Sequence, residues 1–162
     1  MNSTYRVWHA WSVFKLGRRD EAESMMVEVA RLEPTLPMPH LNLGIFLLVR
    51  GRPEEALLEA EWVTIPYARL TLSAAAYHAL GRKAKSDKAL GELVENLPGS
   101  AAYQIAIIYA FRGEADRAFQ WLERAREQGD AGLMYLRGDP LLEKIRGDAR
   151  YTTFLRKMHL AR

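Results

Sequence analysis

The sequence predicts an all-α fold, a right-handed solenoid of four antiparallel helix pairs ending in a helical cap. Three observations point there. Glycine-centred loops recur at Gly17, Gly51, Gly81 and Gly113, spaced 34, 30 and 32 residues apart, and a period of this size marks a repeat architecture. Small residues stand at fixed distances from each glycine: Ala22, Ala56, Ser86 and Ala118 five residues after it, and Ala10, Gly44, Ala74 and Ala106 seven residues before it. No segment of useful length alternates apolar and polar residues as a strand would.

Each element follows from these landmarks. Glycine suits the left-handed residue that ends a helix. The acids after three of the glycines (Asp20 and Glu21, Glu54 and Glu55, Glu114 and Asp116) suit a helix N-terminus, and Pro53 sits where a first-turn proline is tolerated. Apolar residues nine and twelve beyond the glycine (Met26 and Val29, Ala60 and Val63, Leu90 and Leu93, Leu122 and Ala125) give each second helix one buried face. Val13, Leu47, Tyr77 and Tyr109, four residues before the glycine, form the matching ridge on each first helix. Pro34, Pro98 and Asp130 close units one, three and four. The helices are expected at about 4–16, 19–32, 37–50, 53–64, 67–80, 83–96, 99–112 and 115–128. One domain of 162 residues is expected, with units at about 3–34, 37–66, 67–98 and 99–130 and a cap at 131–162.

The pattern resembles the tetratricopeptide repeat, a unit of about 34 residues with small side chains at its eighth and twentieth positions, a glycine near the fifteenth and a proline near the thirty-second. The third unit is short, with Pro66 in the shortened connection, and Tyr103 is the nearest substitute for the tryptophan at the fourth position of the consensus. The resemblance implies a non-catalytic module that binds protein or peptide.

After Gly129 the period stops. Asp139-Pro140 is expected to open a helix, with Leu141, Leu142 and Ile145 on one face. A last helix near 150–158 carries Tyr151, Phe154, Leu155 and Met158. A solenoid needs its last apolar edge covered, and this segment reads as that cap. The stretches AYQIAIIYAFRGEADRAFQWLERA, DPLLEKIRGDARY and LRKMHL are similar to the closing segment after tetratricopeptide repeats in large bacterial proteins, behind nucleotide-cyclase-like or winged-helix domains. That similarity implies an interaction or oligomerisation region of something larger.

The first helix of each pair should line the inner curve of the solenoid. The face left after packing holds Val7, Trp11, Phe14 and Lys15 in unit one, and Met38, Leu41, Ile45, Leu48 and Val49 in unit two. His78 comes from unit three, and Tyr103, Ile107 and Phe111 from unit four. An apolar, aromatic concavity marks a binding groove for an amphipathic helix or an extended apolar peptide, with Trp11 and Phe14 as anchors. The cap or a second copy of the chain, giving a homodimer, could equally fill it. Family members that grip a C-terminal carboxylate use lysines, asparagines and an arginine on this face. Here only Asn42 matches, while Val7, Trp11, Ala68 and Leu72 occupy other such positions.

The remaining chemistry is sparse. With no cysteine, disulfides, zinc ribbons and thiol nucleophiles are excluded, and a cytoplasmic setting fits. His9, His40, His78 and His159 form no metal-ligand spacing, and His9 and His40 fall on packing faces. There is no phosphate loop and no nucleophile elbow, so neither a cofactor nor a catalytic residue is expected. No apolar run reaches the ~18 residues needed to cross a membrane. From Arg137 onward, seven Lys/Arg stand against three acids, a net of +4, whereas the whole chain carries +3. Nucleic-acid contact would have to come from this tail (Arg146, Arg150, Arg156, Lys157 and Arg162 near Tyr151), but its apolar spacing demands burial, which disfavours that use.

Overall fold

A computed structural model describes residues 3–96 and 99–160. Pro98 and Arg162 lie outside the described residues. Eight helices form four consecutive antiparallel pairs: α1 (Ser3–Lys15) with α2 (Arg19–Leu32), α3 (Pro37–Val49) with α4 (Pro53–Trp62), α5 (Pro66–Ala79) with α6 (Lys83–Asn96), and α7 (Ala102–Arg112) with α8 (Ala115–Gln128). No strand occurs among the described residues, and the chain is an all-α helical-repeat solenoid.

The hairpin chemistry anticipated from the repeat is present in detail. Gly17, Gly51, Gly81 and Gly113 all have positive φ, from +68° to +82°, a region in which any other residue would be strained. Ala10, Ala74 and Ala106, and likewise Ala22, Ala56, Ser86 and Ala118, are fully buried. Ser86 adds a bond across its hairpin, its hydroxyl donating to the Ala74 carbonyl at 2.6 Å. Gly44 serves a different contact from the one its position suggests. A Cβ there would collide with the fully buried Leu72 side chain, so the close approach is between α3 and α5, neighbouring first helices, rather than within the hairpin.

The shortening expected in the third unit lies instead in the second, in α4, which has 10 residues where α2, α6 and α8 have 14. Pro66 is the first residue of α5, where its missing N–H costs nothing. Successive units are tied by arginines that reach back to the preceding second helix. Arg50 meets Asp20 at 2.6 Å, Arg52 pairs with Glu23, Arg112 meets Asp87 at 2.9 Å, and Arg150 meets Asp116 at 2.6 Å. Exposed pairs of this kind contribute at most about 1 kcal/mol each. Arg112 is the exception in burial, its side chain 6% exposed, and it also donates to Ser86.

The core runs along the molecule in two clusters. One is built from α1 to α5 around Met26, Phe46 and Leu72, the other from α5 to the helix at Ala149–Lys157 around Leu93, Ile105, Ile108 and Leu122. Ile45, Tyr67 and Phe111 touch both. Each fully buried Leu, Ile or Phe contributes roughly 1.5–3 kcal/mol, so these clusters, not the surface pairs, hold the stack together.

The end of the chain covers the last pair. Ala131–Tyr135 and Pro140–Ile145 are 3-10 segments, and α9 (Ala149–Lys157) follows. The helix expected at Asp139-Pro140 is therefore the tighter form. Asp139 caps its first turn by accepting from the Leu141 N–H at 2.9 Å, and Asp148 caps α9 in the same way through Arg150 N–H at 2.9 Å. Leu141, Leu142, Ile145, Tyr151 and Phe154 are buried against the second cluster. His40 is buried, with Nδ1 2.7 Å from Glu59 and Nε2 3.2 Å from the Pro34 carbonyl. His9 is exposed, contrary to its packing-face assignment. The equivalent Leu43 and Ile105 are covered because a preceding unit packs on them, and none packs on α1 among the described residues.

Candidate functional site

Only the first helix of each pair faces the concave side. A cavity of about 870 Å³ is lined from α1, α3, α5 and α7, together with the linker before α3, residues 99–100 and the segment 128–140. No residue of α2, α4 or α6 lines it among the described residues. The rows that reach it follow from helical geometry. Residues fourteen, thirteen and ten before each hairpin glycine all contribute, as Ser3, Thr4 and Val7 do in α1 and Pro37, Met38 and Leu41 in α3. The rows nine and six before the glycine contribute wherever the side chain is not packed inside. The cavity thus lies mainly against the N-terminal halves of the first helices, with Trp11 and Lys15 of α1 and Ile45 of α3 extending it.

The far wall comes from the end of the chain. Asp130 holds that segment to α7, accepting from the Tyr103 N–H at 3.0 Å and from the Gly132 N–H at 2.8 Å. The Tyr103 hydroxyl donates to Asp139 at 2.9 Å, and its ring lies so close to Gly132 that a Cβ there would be 2.5 Å from Cδ1. Burial, followed by the Asp139 charge, raises the Tyr103 phenol well above its usual range. Burial also raises the Asp139 carboxyl, against the opposing effect of the Leu141 and Tyr103 donors and the Arg146 charge. At the other end of the wall Trp8 stacks on Tyr135, ring centroids 5.6 Å apart at 15°. Beside it, a Cβ on Gly138 would stand 2.6 Å from Lys15 Nζ. The segment that caps α7 and α8 therefore reaches across the concavity to α1.

Of the thirteen sequence-selected groove residues, Val7, Trp11, Lys15, Met38, Leu41, Ile45, Tyr103 and Ile107 line this cavity. Trp11 is fixed by Nε1 donating to Asn42 at 2.6 Å, and Asn42 donates in turn to the Met38 carbonyl at 2.7 Å. Phe14, Leu48, Val49, His78 and Phe111 do not line it. Phe14 packs edge-on against Trp11 and Phe46, and Leu48 is core at 5% exposure. Phe111 lies beneath Lys144, whose Nζ is 5.3 Å from the ring centroid, and contacts His78 edge-on. His78 lines a separate depression with Lys83, Asp87, Arg112 and Glu114. Burial, then the charges of Arg112 and Lys144, lower its pKa below the usual histidine value.

Sequence reasoning missed Trp8 and the segment 128–140. The signal for Trp8 was available: the row nine before the glycine holds Trp8, Asn42, Leu72 and Gln104, too mixed to be a core row. Nothing in the repeat signalled that the cap would also be a wall.

A tetratricopeptide-repeat family model matches residues 37–61, which spans α3 and nearly all of α4, the pair that supplies Met38, Leu41 and Ile45. The match covers one of the four helix pairs, and over that pair the chain is similar to the tetratricopeptide repeat. No curated protein and no solved structure matches it. Tetratricopeptide repeats mediate protein–protein interaction and are in general non-catalytic scaffolds. No three His, Asp or Glu side chains gather as a metal site among the described residues, and no helix there is long and apolar enough to cross a membrane.

Proposed function

We propose that this chain is a non-catalytic module of the tetratricopeptide-repeat kind, holding a partner polypeptide in its concave cavity. The observation that supports this is the cavity itself. It draws lining residues from all four units, and Val7, Trp8, Trp11, Leu41, Ile45 and Tyr67 make its wall apolar and aromatic. Its volume falls in the range of specific binding pockets, and rigid aromatic anchors in such a pocket are where binding energy concentrates. On the similarity of its closing segment, the module would serve a larger bacterial regulator.

The test is a charge placed at the cavity mouth without damage to the core. Met38 is 43% exposed and lines the cavity, so Met38→Glu keeps the fold while opposing an apolar partner. Leu58→Glu, on α4 away from the cavity, is the control. Peptides selected on the full chain should lose affinity for the first variant and keep it for the second. Equal binding to both would refute the groove.

Self-association is a second reading with its own support. Leu58 and Trp62 stand 59% and 57% exposed one turn apart on α4. The other units carry Ser24 and Glu28, Lys88 and Glu92, and Gln120 and Arg124 at those positions. A solution mass that stays monomeric over a concentration series would exclude it. Nucleic acid has no comparable support: Arg150 is paired with Asp116 and Asp148, Lys157 with Glu123 at 2.5 Å, and Arg146 with Glu143 at 2.9 Å.

A further inference from the structure

We infer that the cavity holds an extended peptide segment carrying an acidic side chain, which Lys15 and Arg137 bind together while its apolar neighbours lie on Val7, Trp8, Trp11 and Ile45. This rests on the reading of the cavity as a polypeptide site and names the partner's chemistry.

The far wall argues for a narrow occupant. The Trp8–Tyr135 stack joins the two ends of the wall, so the cavity cannot widen without breaking that contact. An extended segment is narrower and places alternate side chains on the wall.

Charge argues for the acid. Lys15 and Arg137 both line the cavity, and both are exposed. Lys15 Nζ lies over Gly138, the residue that follows Arg137 in the chain. Neither cation makes an ion pair among the described residues. The carboxylates in the same lining are already engaged. Asp130 accepts from the Gly132 and Tyr103 N–H groups, and Asp139 from the Leu141 N–H and the Tyr103 hydroxyl. Two like charges in the lining of one cavity, whose own two carboxylates are engaged, suit a carboxylate supplied by the occupant. A guanidinium can hold that carboxylate through two bonds, with the lysine as a point charge beside it.

The test uses a library of random octapeptides displayed within a coat-protein loop, so that no peptide has a free C-terminus. It is panned on the full chain, and an enriched sequence is then made with both ends blocked and titrated by tryptophan fluorescence. The expected consensus has an acidic residue between apolar ones, without helical i, i+3, i+4 spacing. Lys15→Gln with Arg137→Gln, both surface positions, should weaken that peptide about tenfold or more, as loss of a charge-assisted contact requires. The peptide's own Glu→Gln form should weaken equally on the native chain, and the variant should not distinguish the two forms. An apolar consensus without an acid, or one with helical spacing over three turns, overturns this inference while leaving the groove in place. An acid preference that survives in the double variant also overturns it. Absence of any enrichment sensitive to Met38→Glu overturns both readings.

Discussion

Replacing Gly44 with alanine separates what the repeat suggests from what the packing demands. At the equivalent position the other units carry Ala10, Ala74 and Ala106, each fully buried, so by the repeat alone Gly44→Ala is a return to the norm. It should then gain about 1 kcal/mol, because alanine costs less backbone entropy than glycine inside a helix. The packing gives the opposite sign. A Cβ on Gly44 would overlap the end of the Leu72 side chain, with Leu72 Cδ1 at 2.9 Å and Cγ at 3.2 Å, and Leu72 is fully buried. Overpacking of this kind costs typically 1–3 kcal/mol. Taking the upper part of that range and subtracting the helix gain leaves a net destabilisation of about 1–2 kcal/mol. Urea unfolding followed by far-ultraviolet circular dichroism measures it directly. Leu72→Ala alone should cost about 2–5 kcal/mol, and the double variant should be more stable than the sum of the two by about 2–3 kcal/mol, the whole of the relieved overlap, because the alanine at 44 then meets nothing. A gain in stability from Gly44→Ala, or strict additivity in the double variant, would refute the assignment of the close contact to α3 and α5.

Other consequences can be measured on the same purified chain. Tyr103→Phe removes the hydroxyl that donates to Asp139 and should cost about 1–2 kcal/mol, read as faster amide hydrogen exchange in residues 131–145 than in α2. Gly91 lies inside α6 with open space around its would-be Cβ, so Gly91→Ala should raise stability by about 0.5–1 kcal/mol in a thermal melt. Hydrogen bonds from the Arg150 side chain and then its N–H hold the Asp148 carboxyl down at about 2. A depressed carboxylate adds stability above its unfolded pKa of about 4 and loses it as pH falls through the folded value. Asparagine can keep the cap but not the charge, so the stability difference between native chain and Asp148→Asn should be present above pH ~4 and vanish towards pH ~2.

How much was readable without coordinates depended on whether a feature recurred. The hairpin glycines, the small residues beside them and the ridge at Met26, Leu90 and Leu122 recur in phase, so their local geometry followed from spacing. The N-terminal rows of the groove, from Val7 to Tyr103, were legible for the same reason. Phe14, Leu48, Val49, His78 and Phe111 were not separable from them, because their rows also point inward. What removes them from the cavity is lateral contact, as in the Phe14–Phe46 rings 4.5 Å apart and the Lys144–Phe111 stack. The wall from Gln128 to Pro140 lies outside the period, and its position depends on single bonds such as Asp130 to Tyr103 N–H that leave no periodic trace. Gly44 shows the converse, a consensus position whose glycine answers to one neighbour, Leu72.

The most direct test of the central claim places a photoreactive benzoylphenylalanine at position 41, inside the cavity, and in a second sample at position 58, on α4. Each full chain is irradiated with an enriched, end-blocked peptide, and the adduct is mapped by mass spectrometry. A concave binding site gives a peptide adduct at position 41 and none at position 58. An adduct at position 58 with none at position 41 would mean that this solenoid holds its partner on another face.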